Sequence, residues 1–403
     1  MKVLVADRFE EIGLDGLRRL GVEVIYEPSL SGQSLAERLR ESEAAVVVVR
    51  STEVPGEAMR ETKLGLVIRA GAGYNTIDID AASELGILVT NCPGKNSQAV
   101  AELAWGLILA CDRRIPENVA DLNHGVWNKA EYSKARGLHG RTFGVIGIGK
   151  IAQEMVVRAK AFGMNVVAYS RWMTPDLAAG LQIGRASNAT EVALMADVIS
   201  VHVALTPETK GSLDHAFFDK LRPGAIFINT SRAEVVVQDA LLKAVNEREV
   251  RAGLDVFEGE PTGGTGSYSG ALQNLPGVYC THHIGASTEQ AQEAIAHEVV
   301  QIVREYRSKG GVPNVVNVKR AEVATHVVVV RHLDRVGVLA HVLSVLKDEG
   351  LNVQEMENIV LGGARSAIAQ ISVDREPRPE GLLAIKMNEN VFDVSVFQIE
   401  RAV

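Results

Sequence analysis

The chain has 403 residues, which at roughly 150 residues per domain allows two or three domains. Its composition, 46% hydrophobic and 23% charged, is that of an ordinary folded protein with apolar material for several cores. A net charge of −8 argues against nucleic acid as the main partner, because binding a phosphate backbone requires a basic surface.

The three cysteines (Cys92, Cys111 and Cys280) are widely spaced and form no CxxC pair. The expectation is free thiols in a reducing compartment and no metal cluster. The N-terminus, MKVLVADRFEE, turns acidic after a short apolar run, where a signal peptide needs a longer one. No window reaches the roughly 18 apolar residues of a membrane span. The expected location is the cytoplasm, away from membranes.

The first hundred residues alternate strand and helix signals. Residues 3–6 are a short apolar run, 14–20 have helical spacing, and 22–26, 44–49 and 64–69 read as buried strands. Such alternation predicts a parallel sheet flanked by helices. Gly71-Ala72-Gly73 follows the last of these strands, at the carboxyl end where ligands sit in open parallel sheets. Residues 98–111, QAVAELAWGLILAC, are apolar nearly all round and predict a buried helix at a domain junction or subunit interface.

A second alternating unit begins near residue 141: a strand at 142–146, a glycine turn, a helix at 150–162 ended by Gly163, and a strand at 166–169. Further strands fit 198–203, 225–229 and 252–256. The fold class expected is α/β, with two Rossmann-like doubly wound parallel-sheet units in tandem. The segment 310–314, GGVPN, reads as a linker. Beyond it the pattern restarts with a strand at 327–330, a helix at 336–349, strands at 353–361 and 366–373, a short helix near 380–387 and a strand at 391–400. The order βαββαβ predicts a small ferredoxin-like domain.

Gly147-Ile148-Gly149-Lys150-Ile151-Ala152 follows an apolar strand and opens a helix, the context that the dinucleotide fingerprint GxGxxG/A requires. Gly147 permits the tight turn, Gly149 lets the backbone approach a pyrophosphate, and the helix N-terminus offers free N–H groups. NAD-dependent folds place Asp or Glu at the end of the second strand to hold the ribose. This chain reads Tyr169-Ser170-Arg171-Trp172 there, without a carboxylate. Ser170 and Arg171 suit a 2′-phosphate, so the expected cofactor is NAD(H) or NADP(H), leaning toward NADP or dual use.

Three pieces fall near the ends of the later strands: Asn229-Thr230-Ser231-Arg232, the run from Gly253 through Asp255 to Glu260-Pro261, and the run from His282-His283 to Thr288. Hydride exchange with a hydroxy acid needs a guanidinium to grip the substrate carboxylate, a histidine to exchange the hydroxyl proton, and a carboxylate to orient that histidine. Arg232, His283 and Glu260 supply those groups.

On these residues the chain resembles the D-2-hydroxyacid dehydrogenases over residues 1 to about 315. The matching signatures are GIGKIA at 147–152, VHVALTPETKG at 201–211, NTSR at 229–232, LDVFEGEP at 254–261 and HHIGAST at 282–288. The resemblance implies Arg232 as carboxylate grip, Glu260 as orienter and His283 as acid/base. It implies cofactor contacts at Lys150, Ile151, Val203, Thr230 and Ser231, with Asp255 at the nicotinamide end. It also implies a substrate-binding domain at 1–97 and 285–315, a nucleotide-binding domain at 98–284, and a homodimer or homotetramer.

Within that family the similarity is to the phosphoglycerate dehydrogenase subgroup. Arg50-Ser51, the stretch Arg69 to Gly73 (with Gly71 and Ala72) and HGVWNK at 124–129 look like its motifs. A phosphorylated substrate needs cations beyond Arg232, for which Arg50, Arg69 and Lys129 or Lys134 are the candidates. The chain departs from the family pattern at Ala233-Glu234 after the arginine, at Val237, and at His282 before the histidine.

At 332–339, HLDRVGVL resembles the opening of an ACT domain, an amino-acid-sensing module, assigned here to 322–403. The resemblance implies effector contacts, L-serine among the candidates, at His332, Asp334 and Asn352; the alternative is a domain that only assembles subunits. The expected function is hydride transfer between NAD(P) and a D-2-hydroxy acid, 3-phosphoglycerate to 3-phosphohydroxypyruvate in serine biosynthesis. The alternatives are a glyoxylate or hydroxypyruvate reductase and a non-catalytic, dinucleotide-dependent sensor similar to a corepressor.

Overall fold

Short apolar runs rich in Val, Leu and Ile build the first sheet, buried in its inner strands and partly exposed at the edge strand Glu23–Tyr26. Its strands are β1 (Lys2–Val5), β2 (Glu23–Tyr26), β3 (Val46–Val49), β4 (Leu66–Arg69) and β5 (Leu88–Asn91). In this computed structural model, which describes residues 1–261, 265–318 and 324–399, they pair in the order β2-β1-β3-β4-β5. All pairings are parallel, with Val3 opposite Val46, Val46 opposite Leu66 and Leu66 opposite Leu88. Every residue of β3 is buried, as expected of a strand covered by helices on both sides.

The second sheet contains β6 (Thr142–Ile146), β7 (Asn165–Tyr169), β8 (Gly184–Arg185), β9 (Val198–Val201), β10 (Ile226–Asn229), β11 (Arg251–Leu254) and β12 (Val278–Cys280). It is parallel throughout, in the order β12-β11-β10-β9-β6-β7-β8. The strand order reverses between β6 and β9, which creates the crevice at which such sheets bind ligands. Two cores flank it. One joins Phe217, Phe218 and Phe227; the other joins Trp105, Phe143, Met155 and Ile228.

Besides the strands β5, β8 and β12, which were not expected from the sequence, three features of this part of the chain differ from expectation. The helix Ser97–Arg113 is longer than predicted, and Ala101, Ala104, Trp105, Leu107, Ile108 and Cys111 are buried in the core of its own chain. This apolar character serves internal packing under β10 and β11. The segment 310–314 is no free linker. Thr90 Oγ1 donates to the Pro313 carbonyl at 2.6 Å, Val316 N to Val89 O at 2.8 Å, and the Asn317 side-chain oxygen accepts from Val89 N at 2.9 Å. The chain thus runs along the edge of β5 before the first compact unit, Met1–Asn317, ends. Finally, the helix Glu289–Lys309 was not read from the sequence. Its Ile295, Val299, Val300 and Val303 enter the core formed by Val3, Val5, Leu14 and Leu17 of the first sheet's side.

A second compact unit spans Val318–Val403. Strands β13 (His326–Leu333), β14 (Val353–Val360), β15 (Ser366–Val373) and β16 (Val391–Gln398) form an antiparallel sheet in the order β14-β15-β13-β16. Helices Val338–Asp348 and Pro379–Lys386 supply Val342, Leu346 and Ile385 to a core with Val328, Val330, Ala369 and Ile371. The first helix starts later than predicted because Gly337, at φ 93°, cannot belong to a right-handed turn. Residues 322–323 and 400, which the predicted domain and last strand included, lie outside the described residues, as do 401–403.

Candidate active site

Most of the predicted site residues of the first unit fall just past the carboxyl end of a strand. Gly147 and Gly149 lie between β6 and the helix Lys150–Ala161. Gly147 has φ 95°, and a Cβ on it would run into the carbonyl oxygen of His202, with the Val203 side chain also close. A Cβ on Gly149 would meet open space. The helix that starts there has no side-chain cap, so its first-turn N–H groups and the positive end of its dipole stay available to an anion. The hydroxyl of Thr230, at the end of β10, is buried with no hydrogen-bond partner among the described residues. A close-approach glycine loop, an uncapped helix and a spare buried hydroxyl together fit a dinucleotide.

At the end of β7, Ser170 Oγ accepts the amide of Trp172 at 3.2 Å, and the Arg171 guanidinium sits 5.2 Å from the Trp172 ring centroid. The indole gives this cation a defined resting place.

Asn229 organises the loop after β10, a role that its sequence position did not announce. Its Oδ1 accepts both the amide and the hydroxyl of Ser231, at 3.0 and 2.7 Å, while its Nδ2 donates to the Arg232 carbonyl at 2.9 Å. Arg232 is thereby presented toward the loop after β4. Its Nη1 donates to the Ser231 carbonyl at 2.6 Å and its Nε to Asn75 Oδ1 at 3.4 Å. Its Nη2 lies so close to Gly73 that a Cβ there would collide with it. Gly73 is therefore the point where the two sheets' loops meet.

Arg69 ends β4 beside this junction. Burial above all, then the nearby Arg232 and Arg50, hold its guanidinium down to about 10. Burial also lowers the Arg232 guanidinium, against the carboxylates of Glu234 and Glu260. The partners of Arg69 and Arg232 are neutral oxygens: the Ala70 carbonyl for the first, the Ser231 carbonyl and Asn75 amide for the second. Like-charged groups that, among the described residues, have no directly paired carboxylate favour an anion between them. Ala72, in the same loop, is pinned by Asn91, whose Nδ2 donates to the Ala72 carbonyl at 2.6 Å.

His283 and Glu260 form a pair. His283 Nδ1 lies 2.8 Å from Glu260 Oε2, and Glu260 Oε1 accepts the Phe257 amide at 2.7 Å. Because a carboxylate only accepts, Nδ1 carries the proton and Nε2 points onward. The hydrogen bond to Glu260 raises the His283 pKa above its ordinary 6.5; partial burial opposes this, and the charges of Glu260 and Asp255 add to it. His283 occupies the left-handed region at φ 52°, which is uncommon for a non-glycine residue and needs surrounding support.

That support comes from Asp255. Its Oδ1 accepts Thr281 Oγ1 at 2.6 Å and the Ile284 amide at 2.9 Å, while its Oδ2 accepts the Gly285 amide at 2.8 Å. Asp255 is only 2% exposed. Expected at the nicotinamide end, it spends both oxygens on clamping the His283 loop from either side.

Arg50 and Ser51 follow β3 and are gathered by Asp7, another residue missed from sequence. Lys134 is not brought to this place. Its Nζ pairs with Glu131 at 2.7 Å, and it lines a small cleft with Asp112 and Arg251, below the amino ends of the second sheet's strands. Lys129 begins the short helix Lys129–Tyr132, whose Tyr132 lines that same cleft.

In the second unit, His332 is buried, with Nδ1 2.8 Å from the Leu333 carbonyl and Nε2 3.1 Å from Asn358 Oδ1. Asn352 and Asp334 are exposed. The Asn352 amide donates to Asp374 Oδ1 at 3.1 Å and the Asp334 amide to the Arg365 carbonyl at 3.1 Å. Both ring nitrogens of His332 are thus within bonding distance of its own unit, the Leu333 carbonyl and Asn358.

Residues 105–285 match the family model described as D-isomer specific 2-hydroxyacid dehydrogenase, NAD binding domain. A D-3-phosphoglycerate dehydrogenase of Methanocaldococcus jannaschii is 37% identical over 320 residues, covering 79% of this chain but only 59% of that protein's own length. A glyoxylate reductase of Thermococcus litoralis is 37% identical over 328 residues, covering 78% of this chain and 96% of that protein. Among solved structures, the TT0316 protein from Thermus thermophilus superposes with a TM-score of 0.70 at 32% identity, over 78% of this chain and all of that one (100%). With its glycine loop, Arg232 and the His283–Glu260 pair set at the strand ends, the chain belongs to the D-isomer-specific 2-hydroxyacid dehydrogenase family.

Proposed function

We propose that the protein transfers hydride between a nicotinamide dinucleotide and a D-2-hydroxy acid, and that the acid is 3-phosphoglycerate, oxidised to 3-phosphohydroxypyruvate on the route to serine. The single observation that carries the substrate assignment is the gathering of Arg50, Arg69 and Arg232, with, among the described residues, only neutral oxygens bonded to the guanidiniums of Arg69 and Arg232. One guanidinium serves a carboxylate; a phosphate on the same substrate accounts for the others.

In this reading Arg232 grips the carboxylate and draws electron density from the carbonyl that forms. During oxidation His283 Nε2 removes the hydroxyl proton, and the imidazolium so formed is stabilised by Glu260. In the reverse direction His283 returns that proton. The bound nicotinamide supplies the hydride acceptor or donor. Gly147, Gly149, Lys150 and Ile151 would hold the pyrophosphate side, with Val203, Thr230 and Ser231 lining the crevice. Ser170 and Arg171 would meet the ribose or its 2′-phosphate, which makes NADP or dual use the cofactor proposal.

A second reading, reduction of glyoxylate or hydroxypyruvate, is favoured by the nearly full-length similarity to the Thermococcus glyoxylate reductase. The domain scheme proposed is a substrate part at 1–97 and 285–315, a nucleotide part at 98–284 and an ACT-type sensing unit at 322–403, in a homodimer or homotetramer. The βαββαβ order of the second unit supports the last part. An amino-acid effector such as L-serine would meet the exposed Asp334 and Asn352.

The test is steady-state reduction of 3-phosphohydroxypyruvate, hydroxypyruvate and glyoxylate with NADH and NADPH, with and without L-serine. Preference for the phosphorylated acid and inhibition by serine are expected. Preference for the small acids with no response to serine would move the protein to the second reading.

A further inference from the structure

The loop after β3 is organised by a carboxylate outside every motif noted in the sequence. Asp7 lies just past β1, which pairs in parallel with β3 and so ends beside it, Val5 opposite Val48. Asp7 Oδ2 accepts three consecutive amides, from Arg50 at 2.6 Å, Ser51 at 3.0 Å and Thr52 at 3.0 Å. Asp7 Oδ1 accepts the Ser51 hydroxyl at 3.2 Å. Four donors on one side chain leave the backbone at Arg50 little freedom, and charge-assisted bonds of this kind are the strong ones. Partial burial alone would raise the Asp7 carboxyl, but the amides of Arg50, Thr52 and Ser51 outweigh it and keep the group below the usual carboxylate range. Asp7 is therefore ionised at neutral pH.

Arg50 is the residue whose Cα this collar fixes, and its charge acts on Arg69 in the same cluster, as does that of Asp7. We infer that Asp7 is a positioning residue for substrate binding: through the collar on the Arg50 backbone it aims the Arg50 guanidinium at the substrate's anionic end. It touches no reacting atom. Its effect falls on the binding of the acid, and the hydride step is left alone.

The test is Asp7→Asn, which keeps the shape and one accepting oxygen but removes the charge. The expected result is a KM for 3-phosphohydroxypyruvate raised about tenfold, with kcat within about twofold, the pattern of lost ground-state binding. In an Arg50→Ala background, Asp7→Asn is expected to add no further rise, because Asp7 acts through Arg50. A merely structural role would lower kcat and the melting temperature and would not vanish in that background. An unchanged KM, a fall in kcat at constant KM, or full additivity with Arg50→Ala would overturn the inference. Asp7→Glu, which keeps the charge but moves it, carries the same comparison should Asp7→Asn not fold. The inference rests on the substrate reading above, yet the two fail separately. If the wild type prefers an unphosphorylated acid, the substrate reading falls and KM is compared on the acid it uses. If it turns over none, calorimetric Kd values for 3-phosphoglycerate replace KM.

Discussion

Glu260 accepts the Nδ1–H of His283 with one oxygen, at 2.8 Å, and the Phe257 amide of its own loop with the other, at 2.7 Å. The orienting carboxylate is thus itself oriented. Its hydrogen bond and charge raise the His283 pKa, so the imidazolium persists to higher pH than in a free histidine. Reduction of a keto acid needs that imidazolium and fades as pH rises through the raised pKa; oxidation needs the neutral ring and grows over the same range. Glu260→Gln removes the charge, lowers the pKa and is expected to move both limbs to lower pH. It should also cut kcat by about 10- to 100-fold, within the range for a weakened acid/base. pH–rate profiles in both directions check this, and an unmoved profile would mean that Glu260 does not tune His283.

Asp255 acts one step further out. Its three bonds to Thr281, Ile284 and Gly285 hold the left-handed turn at His283. Asp255→Ala leaves two amides without their acceptor, at a cost of about 1–3 kcal/mol each where they stay buried. The expected outcome is a lowered melting temperature together with a fall in kcat that exceeds any change in cofactor Kd. Cofactor binding lost with kcat intact would show that the main role of Asp255 lies at the nicotinamide end, as the family resemblance implies.

Gly73 offers a narrower test. An added methyl would occupy the position of Arg232 Nη2. Gly73→Ala is expected to displace Arg232 and raise KM for the acid at least tenfold, with the melting temperature changed by only a few degrees. Unchanged KM would show that Arg232 does not need this approach.

The cofactor assignment turns on Ser170 and Arg171. The double replacement Ser170→Asp with Arg171→Ile removes a cation and adds a ribose acceptor. It should shift the ratio of kcat/KM for NADH over NADPH upward by about tenfold or more. A constant ratio would show that this strand end does not select the cofactor.

Much of the architecture was legible because the signals were local. Most strands of the two parallel sheets read as short apolar runs, and GIGKIA announced its turn by composition alone, but β5 was missed because its four residues, LVTN, end in polar Thr90 and Asn91. The short strands β8 and β12, two and three residues long, carry too little pattern to register. The amphipathic helix Glu289–Lys309 did carry one, in Ile295, Val299 and Val303, together with the capping Thr288 and Gly310. What composition could not show was which face of the molecule it would cover, because its partners Val3 and Leu14 lie almost a whole unit earlier in the chain. In the site, Arg232, Glu260 and His283 were recognisable by residue type and context. Asp7, Asn229 and the clamping role of Asp255 were not, since a carboxylate or amide that holds backbone N–H groups looks in sequence like any surface residue. The same limit explains Lys134, a cation near a motif whose side chain turns to Glu131.

The most direct measurement is turnover of 3-phosphohydroxypyruvate by the wild type and by His283→Ala, each with NADH and with NADPH at saturation. A wild-type rate reduced about 10²- to 10⁴-fold in the variant, with cofactor Kd preserved, is the predicted result. Equal rates in the two proteins would contradict the assignment of His283 as the proton-transferring group and, with it, the account of this site.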